Sequence, residues 1–258
     1  MTITSSANKK FKHARRVREG REDGLIFVEG ERLAEECVRS GLVIEACFHQ
    51  VEPTSRTQAL LGGLTTALYP IDDDLMRELA DTVNTQGIIL IARRPVSKLA
   101  DMFSGEAPLI VALDRGQDPG NFGTLVRTAE AAGASGLISL PGAADAFSPK
   151  ALRSSMGSAF RLPIVNATDV EMLEACTQYG LIPVVATGEA KLDHYDYDWR
   201  KPTLLLLGNE ARGVSPELMA QCRYHVRIPL HGGVESLNVA AAGAAMLFEA
   251  VRQRRSAS

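Results

Sequence analysis

The chain has 258 residues, of which 45% are hydrophobic and 23% charged, and its formal net charge is −3. This length suits two domains better than one, and the composition is that of an ordinary water-soluble globular protein. The slightly acidic balance argues against a protein that coats nucleic acid non-specifically.

The first 21 residues are strongly basic, in contrast to the chain as a whole. They hold seven lysines and arginines against the single acid Glu19. A basic terminal arm suits a polyanionic partner, because each cation that neutralises a phosphate releases a counterion. The alternative is a frayed, solvated terminus. The candidate contacts to a polyanion in this arm are Lys9, Lys12, Arg15 and Arg16.

Cysteine usage and apolar runs indicate a reducing compartment and no membrane segment. Cys37, Cys47, Cys176 and Cys222 lie far apart, with no C-x-x-C pair and no histidine at ligand spacing. Neither a metal site nor a disulfide framework is therefore predicted. The basic N-terminus lacks the apolar stretch of a signal peptide, and the run from Val239 to Leu247 is too short to span a bilayer. We expect a cytoplasmic protein.

Short β-like runs alternate with helical runs in the first part of the chain. Strands are predicted at 25–28, 43–49, 65–69 and 87–92, and helices at 30–39 and from Asp72, as N-cap, through Leu79. Together these elements predict a small α/β domain over residues 1–95. The stretch from Arg93 to Pro108 has weak apolar periodicity and holds Pro95, Ser97, Ser104, Gly105 and Pro108, so residues 96–107 are predicted to be a linker.

From residue 108 to 258 the strands become almost continuously apolar, which is typical of a sheet covered by helices on both faces. They are predicted at 109–113, 136–140, 162–165, 181–186, 203–207 and 225–229, with helices at 121–132, 169–179, 216–222 and 236–252. The alternation predicts an α/β fold with a mostly parallel sheet. In such sheets ligands bind beyond the carboxyl ends of the strands.

The loop after the first of these strands reads Asp118-Pro119-Gly120-Asn121-Phe122-Gly123, and Arg127 follows in the next helix. It is neither G-x-G-x-x-G nor a P-loop, so a nicotinamide dehydrogenase or a nucleoside triphosphatase is disfavoured. Asn121 is expected to cap the helix. The alternative interpretation is a capped helix with a solvated arginine.

Two later loops carry polar residues at strand ends. Gly208-Asn209-Glu210 follows the 203–207 strand and places an amide and a carboxylate at the edge of the sheet, unless it is only a tight turn before a helix capped by Ser215. Ser236 is expected to cap the last helix, and Asn238 lies just after it. The small residues of that helix allow close packing, which would also suit a crowded core.

The three loops, in this order and spacing, resemble the motifs of the SpoU family of RNA ribose 2′-O-methyltransferases, in the trefoil-knot (SPOUT) superfamily. The residues that carry the resemblance are Asp118 to Gly123 with Arg127, Leu207 to Glu210 with Gly213, and Ile228 to Leu230 with Glu235 to Val239. Phe27-Val28-Glu29-Gly30 is similar to the substrate-binding domain that precedes the catalytic domain in many members, and that domain resembles a ribosomal-protein RNA-binding fold.

The resemblance implies a deep trefoil knot in residues 108–258, a homodimer and S-adenosylmethionine as cofactor. The residues it places around the cofactor are Thr187, Gly188, Gly208, Ile228, Leu230 and Leu237. It implies that the polyanion bound by the N-terminal domain is RNA. Ribosomal RNA is the expected substrate, with transfer RNA as the alternative.

The resemblance also assigns a catalytic set, Arg127, Asn121, Glu210, Ser236 and Asn238. A guanidinium has a pKa above about 12 and is a poor base at neutral pH. We therefore expect Arg127 to hold an RNA phosphate and to stabilise the developing alkoxide, while the other four position Arg127, the ribose and the cofactor.

Two other classes of protein stay open at this point. A non-catalytic RNA-binding module would keep the basic arm but would not bind S-adenosylmethionine. A small-molecule methyltransferase would bind the cofactor but would have no use for the arm, so deletion of residues 1–24 is expected to separate the two enzyme classes.

Overall fold

The structure is a computed structural model that describes residues 2–103, 105–209 and 212–256. The chain divides into two compact units, residues 1–95 with 147–161, and residues 96–146 with 162–258. The boundary after Pro95 agrees with the predicted start of the linker. Residues 147–161 differ from the prediction of a continuous second domain, since this segment packs with the first unit.

The helices and strands agree closely with the predicted ones, and three short helices were missed. The helices are α1 Lys9–Arg18, α2 Glu31–Arg39, α3 Ser55–Gly62, α4 Asp73–Leu79, α5 Pro119–Ala131, α6 Pro149–Ser155, α7 Asp169–Tyr179, α8 Pro216–Ala220 and α9 Val239–Arg255. The strands are β1 Leu25–Glu29, β2 Ile44–Gln50, β3 Ala67–Ile71, β4 Ile88–Arg93, β5 Leu109–Leu113, β6 Gly136–Ser139, β7 Ile164–Asn166, β8 Ile182–Ala186, β9 Leu192–Asp193, β10 Thr203–Leu207 and β11 Tyr224–Arg227. The missed helices are α1, α3 and α6.

The first unit is built on a four-stranded mixed sheet with strand order β1-β4-β2-β3. Strand β4 pairs antiparallel with β1 and β2, whereas β2 and β3 are parallel. Its core includes Phe11, Phe27, Phe48 and Met76, all at most 1% exposed. The unit therefore has an apolar core of its own.

The basic N-terminal segment is not an arm, which corrects the sequence interpretation. Residues 9–18 form α1, capped by Asn8, and Phe11, Ala14 and Val17 on this helix are buried. The prediction failed because the apolar positions 11, 14 and 17 are separated by runs of cations that hide their helical spacing. Deleting residues 1–24 would remove part of the core and would unfold the unit as well as removing charge.

The second unit is built on a seven-stranded sheet of order β7-β6-β5-β10-β8-β11-β9, in which every paired strand is parallel. All residues of the central strands β5 and β10 are buried. Continuous apolar runs are what a strand needs when both faces of its sheet are covered. The predicted α/β class and largely parallel sheet are confirmed.

The predicted linker, residues 96–107, is partly a structural element of the second unit. Residues Leu99–Phe103 form a 3₁₀ turn, and Met102 and Phe103 are buried in the core of the unit. A short turn with two apolar residues gives too little periodicity to be recognised from sequence.

Two predicted helix caps were wrong by two or three residues. Asp118, rather than Asn121, caps α5 by accepting a hydrogen bond from the backbone N–H of Asn121 at 2.8 Å. Asn238, rather than Ser236, caps α9. In each case a better acceptor stands at the residue whose backbone leaves the helical region.

No helix in the described part of the chain is both long enough and apolar enough to cross a lipid bilayer. The described residues also contain no group of three or more His, Cys, Asp or Glu side chains arranged to hold a metal ion.

Candidate functional site

A cavity of about 240 Å³ lies in the second unit at the carboxyl ends of three adjacent parallel strands, β10, β8 and β11. This is the edge of a parallel sheet at which ligands bind. The six residues predicted to surround a cofactor all line the cavity, namely Thr187, Gly188, Gly208, Ile228, Leu230 and Leu237. Three separate loops and the start of α9 therefore converge on one space.

Much of the wall is main chain, and Gly208 shows why glycine is needed there. A Cβ atom at this position would lie 2.1 Å from the carbonyl carbon of Gly213 and 2.2 Å from the amide nitrogen of Val214. Gly213 in turn pairs with Asn209 through a 2.8 Å backbone hydrogen bond. The loop after β10 consequently folds back on itself beside the cavity, in a way that no side chain at Gly208 would permit.

The start of α9 is joined to α5 by a pair of asparagines. The Asn238 side-chain oxygen accepts from the backbone N–H groups of Ala240 and Ala241 at 3.0 and 3.3 Å. Its amide nitrogen donates to the Asn121 side-chain oxygen at 2.9 Å. Asn238 thus caps one helix and fixes it to the other.

Small residues allow α9 to pack closely against α5 and the sheet. A Cβ atom at Gly243 would lie 2.6 Å from a methyl group of Leu125 and 3.1 Å from one of Leu207. The close packing expected from the small residues of this helix is therefore present beside the cavity, whose wall includes Ala242 and Met246.

A buried carboxylate connects two of the motif loops. Asp114 is 4% exposed and accepts two hydrogen bonds from the Arg115 guanidinium and one from the backbone N–H of Ser215, at 3.0, 3.0 and 2.9 Å. Arg115 has the left-handed φ of 54°, and its carbonyl accepts from the Asn209 amide. This network holds the loop after β5 against the loop after β10.

The remaining members of the predicted catalytic set lie at different places. Ser236 is exposed and lines the cavity, as does its neighbour Glu235. Arg127 is exposed on α5, six residues beyond Asn121, which is about 9 Å along a helix axis. Arg127 does not line the cavity. Glu210 lies outside the described residues.

The four predicted polyanion contacts on α1 fall into two kinds. Lys9 and Lys12 are exposed. Arg16 pairs with Glu22 at 2.9 Å, and Arg15 lies 3.8 to 3.9 Å from Glu78 and Glu19. The two lysines are therefore better placed than the two arginines to meet a phosphate.

Sequence reasoning placed the Asn209 amide at the edge of the sheet but did not single out Asp114, Arg227 and Met246 as site residues. Asp114 and Arg227 stand at or just after the ends of β5 and β11, so the strand-end rule could have found them. Met246 lies two turns into α9, and only the packing of that helix brings it to the cavity wall.

The cysteines take no part in the site. All four are buried and free, as predicted for small apolar core residues. Burial raises the pKa of Cys37, Cys47 and Cys176 to about 12 and that of Cys222 to about 11. A thiol that stays protonated is a poor nucleophile, so the arrangement does not support covalent catalysis by cysteine.

The second unit is thus an α/β domain with a parallel sheet and a cavity, walled partly by glycines and main chain, at the carboxyl ends of its strands, where ligands bind in such domains. The model of the SpoU rRNA Methylase family matches residues 108–248, and that of the MRM3-like substrate binding domain matches residues 8–90. The chain belongs to the SpoU rRNA Methylase family.

Similar proteins span nearly the whole chain. The 23S rRNA (uridine(2479)-2′-O)-methyltransferase of Streptomyces viridochromogenes is 36% identical over 241 residues, covering 90% of this chain and 84% of that protein. The 23S rRNA (guanosine(2553)-2′-O)-methyltransferase of Bacillus subtilis (strain 168) is 29% identical over 249 residues, covering 95% of this chain and 97% of that protein.

Solved structures agree with these relatives. The crystal structure of the SpoU methyltransferase AviRb from Streptomyces viridochromogenes in complex with AdoMet has a TM-score of 0.89 and 34% identity, covering 96% of this chain and 99% of that chain. The family and the fold class that the three motifs predicted are confirmed.

Proposed function

We propose that this protein transfers a methyl group from S-adenosylmethionine to a ribose 2′-hydroxyl of ribosomal RNA. The observation that carries the proposal is the convergence of the second and third motif loops, with the loop after β8, on one main-chain-walled cavity, in a chain of the SpoU family. Two relatives are named for this reaction on 23S rRNA, and a related structure holds AdoMet.

The cavity residues suit the adenosyl cofactor. Gly188 leaves room for a ligand beside the backbone, and Leu230 and Leu237 offer apolar surface. Main-chain N–H and C=O groups exposed at strand ends can bond an adenine edge and a ribose without charged side chains. When bound, the cofactor supplies a methyl group already activated by its sulfonium.

The task left to the protein is to align the 2′-oxygen and to let its proton leave. In-line positioning alone can provide several kcal/mol of barrier reduction. Because the Arg127 guanidinium stays charged at neutral pH, we assign it to an RNA phosphate and to the developing negative charge on the 2′-oxygen. The proton then leaves to a phosphate oxygen or to water.

Asn121 and Asn238 act in this proposal as positioning residues. Their 2.9 Å hydrogen bond fixes the start of α9 to the helix that carries Arg127. Ser236 lines the cavity and is assigned to the ribose or the cofactor. Glu210 completes the proposed set by its place in the second motif.

We assign RNA binding to the first unit, with Lys9 and Lys12 as phosphate contacts and smaller contributions from Arg15 and Arg16. The support is the exposure of the two lysines and the match of residues 8–90 to a substrate-binding domain. Because α1 belongs to the core, deletion of residues 1–24 cannot test RNA binding alone. Substitution of the exposed lysines Lys9 and Lys12 is used as the test of RNA binding.

The proposal includes a cytoplasmic homodimer with a knotted second unit. Phe248 on α9 is 49% exposed, so an aromatic side chain remains available on the helix that follows the cavity. Light scattering during size-exclusion chromatography measures the oligomeric state, and a monomer at micromolar concentration would contradict the dimer.

The experiment that tests the function is transfer of labelled methyl from S-adenosylmethionine to total RNA of a strain lacking this gene. Label in one ribosomal RNA, mapping to a 2′-O-methylribose, is the expected result. Label in the transfer RNA fraction would replace the proposed substrate. The assay is repeated with ribosomes as substrate. If protein that binds the cofactor labels neither the ribosomes nor the free RNA, the activity is refuted.

A further inference from the structure

A cavity of about 500 Å³ lies in the first unit and is separate in its residues from the cofactor cavity. Its wall joins the Glu29-Gly30 turn at the start of α2, the segment 82–86 before β4, and residues Arg153 and Met156 at the end of α6. The volume falls within the range of small-ligand sites.

One wall is a fixed amide group. The Gln86 side-chain oxygen accepts a 2.9 Å hydrogen bond from the backbone N–H of Glu31, and so caps α2 in place of Gly30, which has no side chain. Gly30 has a φ of 99°, and a Cβ there would lie 2.8 Å from that oxygen. With its oxygen occupied, Gln86 offers its NH₂ group as a donor, and Asn84 adds a second exposed amide.

A partly satisfied guanidinium forms another part of the wall. The Nη2 atom of Arg153 lies 2.8 Å from Asp81, while Nη1 is 3.9 Å from the Glu29 carboxylate. Nη1 is buried and has no hydrogen-bond acceptor in the described part of the chain. A buried donor without a partner costs free energy and marks a place where a ligand acceptor would bind.

Two residues at this cavity break local structural rules. Arg32 lies exposed in the first turn of α2, where the positive end of the helix dipole disfavours a cation. Met156 has the left-handed φ of 51° and is 40% exposed. Unfavourable local choices of this kind cluster at functional sites, because function rather than stability selects them.

The charges in the wall indicate what class of ligand fits. In the wall, Glu29 accepts from the backbone N–H of Asp81 and Arg56 pairs with Glu35, which lies outside the wall. These acids offset part of the positive charge, so the cavity is not a general polyanion site. Amide donors, an apolar methionine and the exposed guanidinium of Arg32 suit a planar base with hydrogen-bonding edges and a single phosphate.

We propose that this cavity binds one unstacked nucleotide of the RNA substrate, with its base against Met156, its edge on Asn84 and Gln86, and its phosphate on Arg32. The proposal rests on the proposed RNA substrate. It adds a base-reading site in the first unit to the phosphate contacts on α1. Single-stranded loops are the parts of an RNA that present such unstacked bases.

The test is selection of RNA hairpins with a randomised loop by the full-length protein, followed by sequencing and by anisotropy of one selected hairpin. Met156→Gly removes the base contact and relieves the left-handed strain, so the variant is expected to melt no lower than wild type. Arg32→Gln removes the phosphate contact, and Arg39→Gln on the same helix, away from the cavity, is the matched control.

We expect a base preference at one loop position for wild type, its loss in Met156→Gly, and affinity about tenfold weaker in Met156→Gly and Arg32→Gln. Arg39→Gln should bind like wild type, and all variants should bind S-adenosylmethionine normally. Unchanged affinity and base preference in both cavity variants would overturn this site while leaving the methyl-transfer assay untouched. Absent methyl transfer with the base preference intact would instead refute only the activity.

Discussion

The cavities of the two units differ in whether main chain or side chains form the wall. In the second unit the wall at Gly208 and Gly188 is main chain at the ends of parallel strands, and at Gly208 neighbouring backbone lies 2.1 Å from where a side chain would begin. In the first unit the wall includes the long side chains of Arg32, Gln86 and Arg153. A side chain at Gly208 therefore requires the backbone to move, whereas a wall of side chains can lose one group and keep its fold.

The largest expected effect in the second unit is at Arg127, on α5. Arg127→Ala should lower methyl transfer by about 10²- to 10³-fold, the range for removing one group that stabilises transition-state charge. S-adenosylmethionine affinity, measured by calorimetry, should not change, because Arg127 does not line the cavity. Arg200→Ala, which removes an exposed arginine paired with Asp198, is the control. Near-normal turnover in the Arg127 variant would refute its role.

The next effect tests the main-chain wall directly. Gly208→Ala should weaken cofactor binding by about 10- to 100-fold, since the new methyl group must displace backbone and overpacking costs about 1–3 kcal/mol. Gly233→Ala lies in open space in the same unit and should bind normally. Equal binding by both variants, measured by calorimetry, would show that the cofactor does not occupy this cavity.

Reversing charges on α1 should weaken RNA binding by a smaller factor, and the same change on the second unit should not weaken it. Lys9→Glu with Lys12→Glu should weaken RNA binding about tenfold and reduce the salt slope of log Kd by about two. The same change at Lys191 and Lys201, exposed lysines of the second unit, is the matched control. A full salt slope in the α1 variant would place the phosphate contacts elsewhere.

The same substitution, Asn to Ala at a helix N-cap, can be made in each unit and its effects compared. Asn238→Ala and Asn8→Ala each remove an N-cap and should each cost about 1 kcal/mol of stability in denaturant unfolding. Only Asn238→Ala should also lower turnover, because Asn238, unlike Asn8, bonds Asn121 and so fixes the helix that carries Arg127. If both variants lose turnover, the hydrogen bond between Asn121 and Asn238 contributes to stability and has no specific role in catalysis.

The effect that is smallest at neutral pH, and grows only in alkali, is one in which the units should behave alike. Burial raises the pKa of Cys37 and Cys176 from an ordinary 9.0 to about 12. Between these pH values the unfolded thiol ionises and the native one does not, so the unfolded state binds fewer protons and stability falls as pH rises. Each thiol contributes at most about 1.4 kcal/mol per pH unit.

Urea unfolding at several values from about pH 8 to pH 11 measures this slope. Cys37→Ala and Cys176→Ala should each make the slope shallower by a similar amount. A slope that is the same in wild type and in both variants would show that these thiols do not carry the effect.

Much of the second unit could be predicted from sequence. The bounds of β5, β10 and α7 follow from apolar runs and clear helix ends, and the motif loops could be placed at one sheet edge because parallel strands share their carboxyl side. The caps at Asp118 and Asn238 were missed because several possible acceptors stand within three residues of each helix start.

The fold class, the family and six of the residues that line the cavity of the second unit could be read from the sequence. These features depend on neighbouring residues, since a glycine or a polar residue at the end of an apolar strand can be recognised wherever the strand lies in the sheet. The packing of the folded chain was needed to show that α1 is part of a core, that residues 147–161 join the first unit, and that Arg32, Gln86 and Met156 line one cavity. Contacts between residues far apart in the chain depend on packing, and packing leaves no fixed spacing in a sequence.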